Sequence, residues 1–159
     1  MLSKMFTAIV LVCVTACSPQ PREEARQLTL YAASTETRLF ASPIGFEFPE
    51  GVSLEQMFDR ESGTLLIAAE ASAVSRAVSV IPPPSEVAAC AHVWRHVFVF
   101  YGADGAPLGA LAYCMECGAV AVLGPEDPGV GLEQLLYDGA ALDQIIETHG
   151  LIVEPEYAE

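Results

Sequence analysis

Positive charge is scarce in this chain. Seven Lys and Arg stand against 21 Asp and Glu across 159 residues, a formal net charge of −14. Nucleic acid is thereby excluded as a partner, because its phosphates would be repelled rather than neutralised. Electrostatic docking on an anionic lipid surface is excluded for the same reason. The apolar run from Met5 to Cys13 falls well short of the roughly twenty residues that a helical membrane span requires. No nucleophile elbow, P-loop or dinucleotide fingerprint occurs, and no Ser/His/Asp spacing rises above chance. Covalent haem attachment needs a His after C-x-x-C, and Gly118 stands there. The zinc-deaminase pattern fails as well, with Trp94 in its Glu position after His92 and Tyr113 in place of Pro before Cys114. There is no internal repeat and no low-complexity tract.

What is present starts with an address. Lys4, the apolar run and the small residues Thr15-Ala16 together make a secretory signal peptide. With Cys17 directly after them, Val14-Thr15-Ala16-Cys17 resembles the lipobox of bacterial lipoproteins, although Val14 stands where Leu is more frequent. The resemblance implies cleavage after Ala16 and lipidation of Cys17, giving a membrane anchor in the cell envelope. Each buried methylene of the acyl chains would contribute about 0.8 kcal/mol. Ser18 after the cysteine implies the outer membrane, with the protein facing the periplasm. The alternative is an ordinary signal peptide that leaves Cys17 unmodified.

The expected organisation is a signal peptide over 1–16, the lipidated Cys17 and a Pro-interrupted linker over 17–26, and one acidic domain over 27–159. Cleavage would leave 143 residues (159 less 16), enough for one domain with a real core. The acidity reads as solubility rather than as a partner-binding surface.

Within that domain, residues 27–31 alternate like a strand, and Ser53 with Gln56 forms a capping box for a short helix through Phe58. Residues 64–68 read as a buried strand, while 69–80 are ambiguous between helix and strand. Pro82-Pro83-Pro84 forms a stiff bridge. The clearest unit is a hairpin of two apolar runs, 96–101 and 108–113, flanking Asp104-Gly105. Both faces of the first run are apolar, which places it inside a sheet. Residues 119–123 add a strand, and Asp138 caps a helix carrying Leu142, Ile145 and Ile146 that ends at Gly150. His149 reads as a helix-end residue complementing the dipole. The fold class is α+β: an antiparallel sheet containing a central hairpin, with helices packed on one side.

Cys90, Cys114 and Cys117 remain in that domain, with His92 and His96 nearby. A two-residue turn at Asp104-Gly105 would set His92 opposite Cys117, whereas a four-residue turn would set Cys90 there. Along an extended strand Cys114 and Cys117 point to opposite faces, so sharing a ligand or a bond requires a turn over 114–118, for which Gly118 is suited. Three readings stay open. These residues could hold Zn²⁺ through thiolates and imidazole, form a structural disulfide, or make Cys114 and Cys117 a redox pair. His96, taken alone, reads as a satisfied core histidine, and Trp94 as packing.

Residues 90–117 resemble a group of small, uncharacterised exported bacterial proteins that share a Cys, an Arg-His, a Phe-Tyr, a Gly turn and a C-x-x-C. The matching residues are Cys90, Arg95-His96, Phe100-Tyr101, Gly105, Cys114 and Cys117, while Gly102 replaces the group's Asp and Trp94 a common Pro. The resemblance implies a shared scaffold and no particular activity. The expected function is a lipid-anchored envelope domain for binding or structure, with an envelope protein as its partner. The alternative is a thiol-disulfide or metal-handling enzyme using Cys114 and Cys117.

Overall fold

The computed structural model describes residues 26–27, 29–80, 93–126 and 135–152. Among them the order is β1 (Arg26–Gln27), β2 (Glu36–Phe46), α1 (Leu54–Met57), a 3-10 turn (Arg60–Ser62), β3 (Thr64–Leu65), α2 (Ala68–Arg76), β4 (Val78–Val80), β5 (Trp94–Tyr101), β6 (Pro107–Cys114), β7 (Ala119–Leu123), β8 (Leu135–Tyr137) and α3 (Gly139–Thr148). An open five-stranded antiparallel sheet runs β3-β2-β5-β6-β7, and a smaller sheet runs β1-β4-β8. The fold is mixed α+β.

β5 is buried at every position because it lies in the middle of the large sheet and both its faces are covered. On one face Phe98, Phe100, Leu111 and Val120 pack with Val74 of α2 and with Leu142 and Ile146 of α3. On the other, Val97, Val99, Ala112 and Leu123 pack with Leu54 of α1 and with Phe58. Helices on one side only is thus corrected. α2 and α3 share a face, whereas the one-turn α1 covers the opposite one, since the apolar run from Val97 to Tyr101 leaves neither face suited to water.

β5 and β6 pair antiparallel, with His96 opposite Tyr113 and Val99 opposite Ala110. The pairing expected of a two-residue turn holds from His96 to Phe100, although the connection itself is longer than either anticipated turn. Residues 102–106 connect the strands, and a bulge at Leu108 absorbs the extra residue, with Phe100 opposite Gly109 but Tyr101 opposite Pro107. Gly105, at φ 82°, supplies the left-handed position that this turn needs.

Residues 69–80 are helix and then strand, so each half of that ambiguity is realised. Alanine-rich α2 forms first, Glu70 accepting from Ile67 N at 3.0 Å, and β4 follows. The strand expected over 64–68 is only Thr64–Leu65, because α2 begins at Ala68. The strand expected over 27–31 is also corrected. The chain turns at residues 30–33, with Tyr31 at φ 47°. The sequence reading missed β2, the longest strand described, although Thr37, Arg38, Leu39 and Phe40 alternate between its faces. α3 has its expected Asp138 cap, which accepts from Ala141 N at 3.1 Å. Gly150, at φ 65°, follows its end.

Candidate functional site

The cysteines gather attention at the far end of the β5–β6 pair. β6 ends at Cys114, and residues 115–118 form a turn closed by Gly118 N donating to Met115 O at 3.3 Å. Cys114 is then paired with Ala119 of β7. Gly118 sits at φ 56°, so the chain leaves the strand as the C-x-x-C spacing requires. Cys117, which lies in this turn, is disulfide-bonded. Cys114 is a free thiol and wholly buried.

Two charged residues, Arg95 and Glu116, organise this corner. Arg95 is only 8% exposed, an uncommon place for a guanidinium, and must be paired to be tolerated there. Its Nε donates to Glu116 Oε1 at 2.6 Å, and its Nη1 donates to the carbonyl of Pro43 in β2. The other carboxylate oxygen, Glu116 Oε2, accepts from Cys114 Sγ at 3.6 Å. One carboxylate therefore joins a buried cation from β5 to the buried thiol of β6. Burial alone would raise the pKa of Glu116, but the hydrogen bond and charge of Arg95 outweigh it and hold the carboxyl below its ordinary value. The sequence signal was an arginine inside an apolar strand, which demands a partner, and an acidic residue inside the C-x-x-C.

The structure does not bring His96 to the cysteines. His96 pairs with Tyr113, and neighbouring positions on a strand alternate, so His96 and Cys114 project from opposite faces of the sheet. Its Nε2 lies 2.9 Å from Leu151 O, just beyond α3, and its Nδ1 is buried with no partner. Since only a protonated Nε2 can bond that carbonyl, the neutral ring carries its hydrogen there. Burial pushes its pKa below the ordinary value. Cys90 and His92, the remaining members of the proposed zinc set, lie outside the described residues, as does Cys17.

Of the five residues of the zinc set, the three that are described do not share one site. Cys117 is oxidised and can offer no thiolate, and His96 faces the wrong side. No group of three or more His, Cys, Asp or Glu among the described residues is arranged to hold a metal. A redox role for Cys114 is not favoured by its burial either, since attack on an external disulfide needs an accessible thiolate. Trp94 is packed into the core rather than displayed. His149 ends α3, as anticipated, and its Nε2 also lies 3.1 Å from Glu70 Oε2 of α2, tying the two helices together.

A second polar cluster lies at the other end of β5. Glu36 Oε1 accepts from Arg38 Nε at 2.5 Å and from Arg60 Nε at 2.9 Å, and Arg60 also reaches Oε2 through Nη2. The Arg60 hydrogen bonds hold the Glu36 pKa down to about 2. The Arg60 guanidinium also sits 5.5 Å from the Tyr101 ring centroid. Every partner in this cluster is satisfied by another except Tyr101, whose hydroxyl is buried and unpaired.

No helix among the described residues is long and apolar enough to cross a membrane. No protein-family model, curated protein or solved structure matches the chain.

Proposed function

We propose that this chain is a lipid-anchored cell-envelope protein, held through Cys17 with its acidic domain facing the periplasm, and that it serves binding or structure rather than catalysis. In this reading residues 1–16 are a signal peptide, 17–26 a tether, and 27–159 a single domain centred on the β5–β6 hairpin. The observation that carries it is the oxidised Cys117 beside the buried, carboxylate-bonded thiol of Cys114. Disulfides belong to exported proteins, and a thiol without access is a packing residue. Export would remove Cys13 and acylation would consume Cys17, which would leave the domain three cysteines, of which Cys114 is a free thiol and Cys117 is disulfide-bonded. The rival redox reading has no exposed thiol among the described residues to support it.

Intact-mass measurement of membrane-extracted protein tests the anchor: an N-terminal Cys17 bearing acyl chains is expected, and an unmodified polypeptide beginning at Met1 overturns the proposal. Thiol titration tests the sulfur chemistry on the same sample. One thiol reacting only after unfolding, with two more after reduction, is the expected count. A thiol that reacts rapidly in the folded protein would favour the redox enzyme, and one equivalent of zinc by elemental analysis would favour a metal-handling one.

A further inference from the structure

A cleft of about 700 Å³ opens between the 29–35 loop, the start of β2, β3 and α2. It lies at the opposite end of β5 from the cysteine turn, and its volume falls within the range of small-ligand sites. Its lining is unusual for the number of hydroxyls with nothing to do. Thr29, Ser34, Thr35 and Ser72 all border it, and their hydroxyls enter none of the side-chain hydrogen bonds found among the described residues. Thr37 also lines it, and Thr37 Oγ1 is buried with no partner. Buried unpaired hydroxyls are uncommon, because each forfeits hydrogen bonds that water would have made.

The charged residues of the cleft are already engaged. Glu36 is held by Arg38 and Arg60, and Arg76 at the rim is also partnered. The backbone edge is spent as well: Thr37 O accepts from Leu66 N at 3.0 Å, and Arg38 and Leu39 pair with β3. An added peptide strand would find no ladder there. What is left to a ligand is the hydroxyls of Thr29, Ser34, Thr35 and Ser72 together with the apolar surface of Leu65, Ala68 and Ala71.

We infer that this cleft binds a neutral polyhydroxylated ligand, a short oligosaccharide segment. Sugar hydroxyls both donate and accept, as Ser and Thr hydroxyls do, and the C–H face of a pyranose suits the exposed Leu65. Glu36 is the single carboxylate among the cleft's lining residues, whereas glycosidic hydrolysis in most enzyme families requires two. The cleft therefore binds without cleaving. Tyr31 holds the loop in place: its hydroxyl donates to Leu123 O at 2.5 Å, and its ring lies 4.9 Å from that of Phe100.

The test uses the full chain in a detergent without a sugar headgroup, with maltotriose and tri-N-acetylchitotriose as probes in calorimetry and saturation-transfer NMR. Saturable binding of at least one probe is expected, with a dissociation constant of about 0.1–5 mM for a wet, neutral site. Thr35→Val combined with Ser72→Ala should weaken it about tenfold, as the loss of two neutral hydrogen bonds implies, with the melting temperature unchanged. Absence of saturable binding by both sugars overturns the inference. So does binding that the double variant leaves intact, or preferential binding of a neutral tripeptide. None of these outcomes depends on whether Cys17 is acylated.

Discussion

Replacing Glu116 by Gln removes one negative charge and little else, which makes it the sharpest probe of the corner that links β5, β6 and the C-x-x-C turn. In the native protein Glu116 Oε1 is 2.6 Å from Arg95 Nε, and the two side chains are 37% and 10% exposed. Breaking a fully buried ion pair costs about 3–5 kcal/mol. Water reaches the Glu116 side of this pair, and a Gln carbonyl can still accept from Arg95, so the expected loss is smaller, about 1–2 kcal/mol. Urea denaturation at neutral pH measures it, and a cycle with Arg95→Met isolates the coupling, expected at about 1 kcal/mol or more. The double variant should recover part of the loss, because it leaves no unpaired buried charge. The native pKa of Glu116 is lowered, so in acid the unfolded chain binds more protons than the folded one. The pair's contribution is therefore present above about pH 4.5 and is lost as the pH falls through the lower native value, a dependence that Glu116→Gln should abolish. A coupling below about 0.3 kcal/mol, within the scatter of independent sites, would refute the pairing.

Three further outcomes follow from other parts of the molecule. A Cβ added at Gly109 would lie 2.0 Å from Tyr31 Cζ, at a backbone φ of 154°, so Gly109→Ala should cost at least about 3 kcal/mol. Thermal melting checks this, and a variant that melts with the parent would remove Tyr31 from its place. His96 is buried and neutral with a lowered pKa, so the unfolded chain takes up a proton first as the pH drops below about 6.5. Stability should fall with acid from there, at up to about 1.4 kcal/mol per pH unit from this group, until the native ring itself titrates. His96→Gln should flatten that limb in a pH series of melts, and an unchanged slope would assign it to other groups. Finally, Thr37→Val replaces a buried hydroxyl that has no partner with a methyl of similar size. The ligand-free protein should melt no lower, and should gain up to about 1 kcal/mol, whereas a loss of that size would reveal an unseen partner for Oγ1.

Local chemistry made several elements legible in advance. Gln56 beside Ser53, Asp138 before an apolar stripe and Gly150 after it act over three or four residues, so their helix ends appear where the sequence puts them. The apolar run from Val97 to Tyr101 in β5 likewise announced a strand covered on both sides. β2 was not legible, because Pro43 and Gly45 interrupt its pattern and its main partners, in β5, are 48 to 65 residues away. The short β8 escaped for the same reason, being fixed only by pairing with β4.

The candidate sites divide along the same line. Residue types and spacing alone established an acidic chain, a C-x-x-C that must turn to be useful, and a core histidine reading for His96. Which side of the sheet each group faces was decided only by folding, because one residue of register exchanges the two faces of a strand. That decision put His96 against α3 and Cys114 against α1's side of the core, on opposite faces of the sheet despite their proximity in sequence. It also brought Glu116 to Arg95, 21 residues away, and collected hydroxyls from the 29–35 loop, β2 and α2 into one cleft. Such convergence depends on long-range packing, which no local spacing encodes.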